Sequence, residues 1–249
     1  MEISRKASPT RGAVELFEYL RSKNIPTYII STSYTQHAHN IAIKLGHPIE
    51  NVRCTRLDFS LKPESTEALE PLFEDIFPRY LEEGLTAVKR SLDRFFFQEI
   101  PKSAFGPIFK STIVCGSGRK REEVVAILHA HSLSASEVFA VGDSITDIQM
   151  LEYVRANEGM AVSFNGNDYS LKSSSIAFSG ESIYPLKQII EAFPKTKEFV
   201  QKFPRGKDQQ QEEFFLNLVE GIPKKDYDRI LALQKKYRKL LREKAAQLT

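Results

Sequence analysis

The sequence predicts a three-layer α/β domain, with a mostly parallel sheet and helices on both of its faces. Short apolar segments alternate with segments whose apolar residues recur every three or four positions, which is the pattern of strands joined by crossover helices. The 249 residues are enough for one sizeable core, or for a core and a small second domain. With 41% hydrophobic and 27% charged residues, the composition is ordinary for a globular protein.

The predicted elements follow each other in a regular order. Helices are predicted at 11–23, 35–46, 119–133 and 147–157, and strands at 25–31, 50–59, 137–142, 159–164 and 174–179. We therefore expect an α/β core made of residues 1–60 and 108–200.

Two segments break this alternation. Residues 62–100 are charged and helix-prone, so we interpret 61–107 as a helical insertion beside the sheet. From about residue 183 the chain is predicted to be helical to its end, and 201–249 to form a basic amphipathic tail. Residues 224–249 carry nine Lys or Arg against three acids. This helix is expected to pack on its own domain or on a second copy of the chain, and docking to a partner protein or an acidic surface is the alternative.

Several classes of protein are excluded by composition. No apolar run approaches the ~20 residues that span a bilayer, and the N-terminus lacks the apolar core of a signal peptide. Cys54 and Cys115 form no CxxC pair, which indicates buried thiols in a reducing compartment. The net charge of +3 is too small to argue for nucleic acid. We expect a cytoplasmic protein with no membrane span and no nucleic-acid partner.

Two carboxylates follow the predicted strand 137–142. Asp143 and Asp147 stand in the segment "GDSITD", and Asp143 falls at the carboxyl end of the strand, where ligands bind in parallel α/β sheets. A carboxylate pair attracts a hard cation such as Mg²⁺. The alternative is that both residues only cap the following helix and complement its dipole.

Two further groups are expected near the same edge. The segment "IIST" ends a predicted strand and places the Ser31 hydroxyl there, with Thr32 next to it. Lys120 lies at the start of a helix, where the dipole disfavours a cation, so its position is easier to explain if an anion lies above it. A helix cap and a solvated surface lysine are the simpler interpretations of these residues.

A hydroxyl after a strand, a lysine at a helix start and GDxxxD after a strand resemble, in this order, the second, third and fourth motifs of the haloacid dehalogenase (HAD) superfamily. "SFNGN" resembles the segment that follows the fourth motif in phosphoserine-phosphatase-like members. Together with "YIISTSY" and "CTRLDF", these segments are most similar to an archaeal branch of HAD phosphatase-like proteins, over roughly residues 8–180. The resemblance implies a Rossmann-like, HAD-like fold and a phosphomonoester hydrolase.

The resemblance also implies a site for a phosphorylated small molecule. Ser31 and Thr32 would bind phosphoryl oxygens, with Asn165 at the same edge. Lys120 would neutralise charge on the phosphoryl group and on the attacking carboxylate. Asp143, with Asp147, would hold or orient Mg²⁺.

The family reaction requires an aspartate nucleophile, followed two residues later by an aspartate general acid and base. This first motif should end a strand upstream of Ser31, and no aspartate occurs there. Asp226 and Asp228 form a DxD pair, but no predicted strand precedes them.

Three hypotheses follow from the missing motif. The sequence lacks an N-terminal segment that carries it, the protein is a non-catalytic HAD-like binding or scaffold protein, or a separate polypeptide supplies the strand. We expect this chain alone to be inactive, and the missing strand to lie between the strands that end at Ser31 and at Gly142.

Overall fold

The computed structural model describes residues 7–58, 60–207 and 213–247, with side chains described up to residue 244. The chain divides into two compact units. One is made of the described parts of Met1–Cys54 and Cys115–Thr249, and the other is Thr55–Val114.

The strands and α-helices of the first unit alternate along the chain as far as β5, and two helices, two strands and a final helix follow. Its strands are β1 (Ile29–Tyr34), β2 (Val52–Thr55, whose last residue begins the second unit), β3 (Phe139–Gly142), β4 (Met160–Phe164), β5 (Ile176–Gly180), β6 (Arg205–Lys207) and β7 (Glu213–Leu218). Its helices are α1 (Ala13–Ser22), α2 (Thr35–Lys44), α6 (Ser117–His131), α7 (Ile148–Ala156), α8 (Asp168–Lys172), α9 (Leu186–Glu191), α10 (Thr196–Lys202) and α11 (Lys224–Gln247).

The second unit, Thr55–Val114, is helical and includes the predicted insertion 61–107. Its α-helices are α3 (Phe77–Glu83), α4 (Leu85–Arg94) and α5 (Gly106–Ser111), and π-helical turns occupy Leu72–Ile76 and Phe95–Glu99. Ile76, Val88, Phe95 and Ile100 form its small core. Phe95 is buried in this core, whereas the neighbouring Phe97 is exposed.

The main sheet has five strands in the order β3-β4-β5-β7-β6. β3, β4 and β5 are parallel, with Gly142 beside Ser163 and Phe164 beside Phe178. β7 is antiparallel to β5, and β6 is antiparallel to β7. Since β3, β4 and β5 run in the same direction, their carboxyl ends lie at one edge, and the polar segments after Gly142 and Phe164 meet there.

Helices cover both faces of this sheet. On one face, Val162 and Phe178 pack in a cluster with Ile189 of α9 and Val200 of α10. On the other face, Ala161 of β4 packs in a cluster that contains residues of α6 and α7, and Ala177 of β5 packs with Ile230 of α11. The predicted three-layer α/β architecture is therefore confirmed.

The prediction that the chain is helical from about residue 183 to its end is wrong at β6 and β7. β7 alternates buried Phe214 and Leu216 with less buried residues, because these two side chains point into the core cluster on one face of the sheet, beside Phe178 of β5. Gly206 of β6 lies against the ring of Phe214, and a Cβ at residue 206 would come within 2.5 Å of that ring. The described parts of the segment 201–249 are thus the end of α10, two antiparallel strands and a long helix.

β1 and β2 form a separate two-stranded sheet. Ile30 of β1 packs against the cluster that contains Ala140 of β3, yet β1 and β3 are not hydrogen-bonded neighbours. Within the described residues, β3 has a strand neighbour on one side only, namely β4. The sheet is therefore divided between the strand that contains Ser31 and the strand that ends at Gly142.

The outer edge of β3 has the backbone geometry to accept another strand. The Val138 carbonyl accepts a hydrogen bond from the Met160 N–H of β4, and backbone direction alternates along a strand. The N–H and C=O groups of Phe139 and Val141 therefore point away from β4. These two residues are only partly buried, whereas every residue of β4 and β5 is buried. This difference in burial is expected if β3 is an edge strand and β4 and β5 are central strands of the same sheet.

No helix in the described part of the chain is both long enough and apolar enough to cross a membrane.

Candidate active site

The turn after β3 is built around the carboxylate of Asp147. Its Oδ2 accepts hydrogen bonds from the backbone N–H groups of Asp143 and Ser144, each at 3.0 Å, and from the Ser144 hydroxyl at 3.1 Å. The side chain packs directly on Gly142, where an added Cβ would come within 2.5 Å of the Asp147 Cβ. The glycine of "GDSITD" is thus required by the close approach of Asp147, and this aspartate fixes the direction of the turn.

Lys120 pairs with the other oxygen of Asp147. Its Nζ donates a hydrogen bond to Asp147 Oδ1 at 2.7 Å, and the two side chains are only 7% and 5% exposed. Burial of an isolated charge is very unfavourable, so each group provides the counter-charge that the other needs. The lysine at the start of α6 is therefore held by a carboxylate of the chain itself, and its Nζ lies at the carboxyl end of β3.

These contacts favour the ionised form of Asp147. Burial raises the pKa of its carboxyl group, but the charge and hydrogen bond of Lys120, with the N–H groups of Asp143 and Ser144, outweigh burial and hold that pKa below its ordinary value. At neutral pH the site therefore contains a buried carboxylate, which pairs with Lys120.

Asp143 has a different environment from Asp147. Its side chain is 54% exposed, and its Oδ2 accepts a hydrogen bond from Nη1 of Arg238 at 2.6 Å. The same Nη1 contacts the Asp143 carbonyl oxygen at 2.5 Å and the Asn165 carbonyl oxygen at 3.3 Å. Sequence analysis did not identify Arg238, which reaches this edge from α11.

Asn165 joins the ends of β4 and β5. Its Nδ2 donates to the Gly180 carbonyl at 2.7 Å, and its Oδ1 accepts from the Gly180 N–H at 3.1 Å. The residue is buried and has a left-handed backbone with φ of 47°. Both polar groups of its side chain are used by Gly180, and its backbone carbonyl oxygen is the group that Arg238 contacts.

Ser31 lies inside β1 rather than at the end of the strand, because β1 continues to Tyr34. Thr32 and Tyr34 are of residue types enriched in strands, so the strand does not stop at Ser31. The Ser31 hydroxyl accepts a hydrogen bond from the Ser33 N–H at 3.1 Å. Thr32 is exposed and makes an interaction of its own. The structure thus brings Lys120, Asp143 and Asp147 together, and no described hydrogen bond connects Ser31 to them.

Gln234 attaches α11 to the carboxyl ends of the strands. This fully buried side chain accepts a hydrogen bond from the Gly166 N–H, and its Nε2 donates to the Phe178 carbonyl and the Ser179 hydroxyl, both at 2.8 Å. A glutamine within the apolar stripe of an amphipathic helix is the sequence signal that could have revealed this contact. Because Gln234 is one turn before Arg238, its hydrogen bonds hold the part of α11 that carries Arg238 at the strand ends.

Replacement of Gln234 by leucine is expected to destabilise the protein by about 1–3 kcal/mol, because the Gly166 N–H would remain buried without an acceptor. Urea unfolding followed by circular dichroism would measure this loss. Lys235→Ala is the matched control, since Lys235 is exposed on the same helix and surface substitutions usually change stability by less than about 0.5 kcal/mol. Equal stability of the two variants would show that Gln234 does not anchor α11.

The oxygen atoms around Asp143 are of the type that a hard cation prefers. A carboxylate oxygen and two backbone carbonyl oxygens converge on one point, which Nη1 of Arg238 contacts. Asp147 does not share that role, because both of its oxygens already accept hydrogen bonds. The described residues contain no group of three or more His, Cys, Asp or Glu side chains that could hold a metal. Asp143 therefore fits a cation ligand, and Asp147 fits a residue that orients Lys120.

Comparisons with known proteins agree with this architecture. A structure of gene product AF1437 from Archaeoglobus fulgidus superposes with a TM-score of 0.75 and 24% sequence identity, over 94% of this chain and 70% of that chain. This similarity concerns the fold. A comparison with curated proteins found no match. The family model for haloacid dehalogenase-like hydrolases matches residues 1–155, which include β1, Lys120, Asp143 and Asp147. This chain therefore belongs to the haloacid dehalogenase-like hydrolase family.

Proposed function

We propose that this chain provides the phosphoryl-binding and cation-binding half of a Mg²⁺-dependent phosphomonoester hydrolase site. The observation that supports this most is the buried Lys120–Asp147 pair at the carboxyl end of β3, with the half-exposed Asp143 carboxylate beside it. A purely structural cap would need neither a buried lysine nor a second carboxylate.

Each residue has a distinct role in this proposal. Lys120 has three N–H donors, of which Asp147 takes one, so the ammonium group is oriented to stabilise negative charge on a phosphoryl group. Asp147 holds Lys120 and the turn after Gly142. Asp143 is the cation ligand, and Mg²⁺ bound there would neutralise phosphoryl oxygens. Ser31 and Thr32 of β1 would contribute hydroxyl donors, and Asn165 would contribute its carbonyl.

The nucleophile belongs on a strand between β1 and β3. This placement is supported by the division of the sheet at this place and by the edge of β3, which no strand in the described ranges covers. An aspartate at the carboxyl end of such a strand would lie at the same edge as Lys120 and Asp143, where it could attack a bound phosphoryl group.

A second candidate function is supported by Arg238. Its ion pair with Asp143 already balances the charge of the proposed cation ligand, which suits a HAD-like protein that binds a phosphorylated ligand without hydrolysing it, or one that supports a larger assembly. The substrate or ligand class remains a phosphorylated small molecule in both cases, and we propose a cytoplasmic location. Binding of a protein partner, or of a second copy of the chain, at α11 stays a prediction.

The proposal is tested first by the activity of the chain as it stands. With p-nitrophenyl phosphate and Mg²⁺, we expect no turnover above background, because positioned charges alone do not replace the aspartate that forms the acyl-phosphate. Asp143→Asn is the control for contaminating phosphatases. Robust turnover that is abolished by Asp143→Asn would mean that a nucleophile is present in these 249 residues. The proposal that this chain provides only half of the active site would then be wrong.

A further inference from the structure

A single nitrogen atom of Arg238 lies among three oxygen atoms at the centre of the proposed cation site. Nη1 is 2.6 Å from Asp143 Oδ2, 2.5 Å from the Asp143 carbonyl oxygen and 3.3 Å from the Asn165 carbonyl oxygen. The Arg238 side chain is 16% exposed, whereas that of Asp143 is 54% exposed. The guanidinium thus covers the inner side of the carboxylate, toward the ends of β3 and β4.

The position of Arg238 is fixed by the helix that carries it. One turn earlier, Gln234 is fully buried and bonded to β5 and to Gly166. Ile230 and Tyr237 of the same helix are also buried. The contact between Arg238 and Asp143 therefore follows from the packing of α11 on the strand ends, since the buried residues of this helix hold Arg238 near Asp143.

A guanidinium and a divalent cation cannot occupy this position together. Arginine is not deprotonated in proteins, so its positive charge cannot be removed by a change of pH. Carboxylate and carbonyl oxygens are ligands for hard cations, and a second cation beside the guanidinium would meet electrostatic repulsion in a partly buried site.

We propose that Arg238 is an internal counter-cation that closes the site, and that a divalent cation binds Asp143 only when the Arg238 side chain withdraws. This inference rests on the proposed role of Asp143 and adds a regulatory contact to it. α11 becomes the element that controls access to the site, and any ligand or partner that shifts α11 would change cation affinity.

The test measures Mn²⁺ binding to the full chain by the loss of the free-ion EPR signal. Arg238→Gln is expected to bind Mn²⁺ about ten-fold more tightly than the wild-type chain, because the loss of a partly buried charge pair frees a carboxylate. Arg242→Gln is the matched control. Arg242 is exposed one turn later in α11, so its replacement removes the same charge without changing the contacts of Asp143; we expect a change below about two-fold.

Three additional variants separate the outcomes. Asp143→Asn in the Arg238→Gln background should remove the gained affinity. Arg238→Ala also removes the guanidinium and replaces Arg238→Gln as the test if the glutamine variant does not fold, with the same expected gain in affinity. Arg238→Lys keeps the positive charge, so its affinity is expected nearer to that of the wild type. Suppose that Arg238→Gln and Arg242→Gln bind Mn²⁺ with equal affinity and that binding still depends on Asp143. The counter-cation role of Arg238 would then be wrong, whereas the cation site at Asp143 would be supported. If no variant shows Asp143-dependent binding, the cation site and the counter-cation role both fail.

Discussion

An extended form of this chain, with an apolar strand ending in Asp-x-Asp ahead of Met1, is expected to become an active phosphatase and to melt at a higher temperature. The activity should rise from background to a turnover on the order of one per second or more with Mg²⁺, within the usual range for enzymes. A colorimetric phosphate assay and a thermal melt would measure the two effects.

The physical reason for the gain in stability is the edge of β3. The N–H and C=O groups of Phe139 and Val141 point away from β4, and the side chains of both residues are only partly buried. A new central strand would pair with these groups and bury apolar surface against the flanking helices. A net gain of about 3 kcal/mol would raise the melting temperature by roughly 6–12 °C for a domain of this size.

The strand and its carboxylate can be separated experimentally. A matched extension in which the first aspartate is replaced by asparagine should raise the melting temperature equally but give no turnover. Hydrogen exchange should show new protection at the Phe139 and Val141 amides, whereas the Ala140 amide, which points toward β4, should be protected in both forms. An extension that neither stabilises the protein nor protects these two amides would mean that the strand does not pair with β3, and the non-catalytic function would then be favoured.

The central parallel strands could be predicted from the sequence because they are continuous apolar segments. β4 and β5 are buried on both faces, so nearly every residue is apolar or small, and a turn follows each strand. The hairpin of β6 and β7 was missed for the opposite reason. β6 has three residues, and β7 pairs with β5, about 40 residues earlier in the chain. A local pattern of residues carries little information about such a long-range pairing.

The part of the candidate site that could be predicted is the part formed by a short sequence motif. The spacing of Asp143 and Asp147 reflects a tight turn in which the second carboxylate caps the N–H groups of the first residues, and this geometry is local. Arg238 is 95 residues from Asp143, and only the packing of α11 brings the two together. For the same reason the sequence could indicate a basic amphipathic helix but not the surface that it covers.

Replacement of Asp147 by asparagine is expected to destabilise the protein by about 3–5 kcal/mol at neutral pH, since it leaves the Lys120 ammonium buried without a counter-charge. The two side chains are only 7% and 5% exposed, so water cannot replace the lost carboxylate. Urea unfolding at pH 7 would measure the loss. The double variant Lys120→Met with Asp147→Asn should recover much of it, because both charges are then absent.

The penalty of the Asp147→Asn variant should also depend on pH. The pKa of Asp147 is lowered in the folded protein despite its burial, because Lys120 and the neighbouring N–H groups favour the ionised form. Its carboxylate therefore contributes stability above the ordinary aspartate pKa of about 4, and this contribution is lost as the pH falls through the lowered value. The wild-type protein and Asp147→Asn should accordingly differ most at pH 5–7, by about the full penalty, and converge in acid. A difference that stays constant down to pH 2–3, or a double variant as unstable as Asp147→Asn alone, would show that the Lys120–Asp147 pair does not hold this site together.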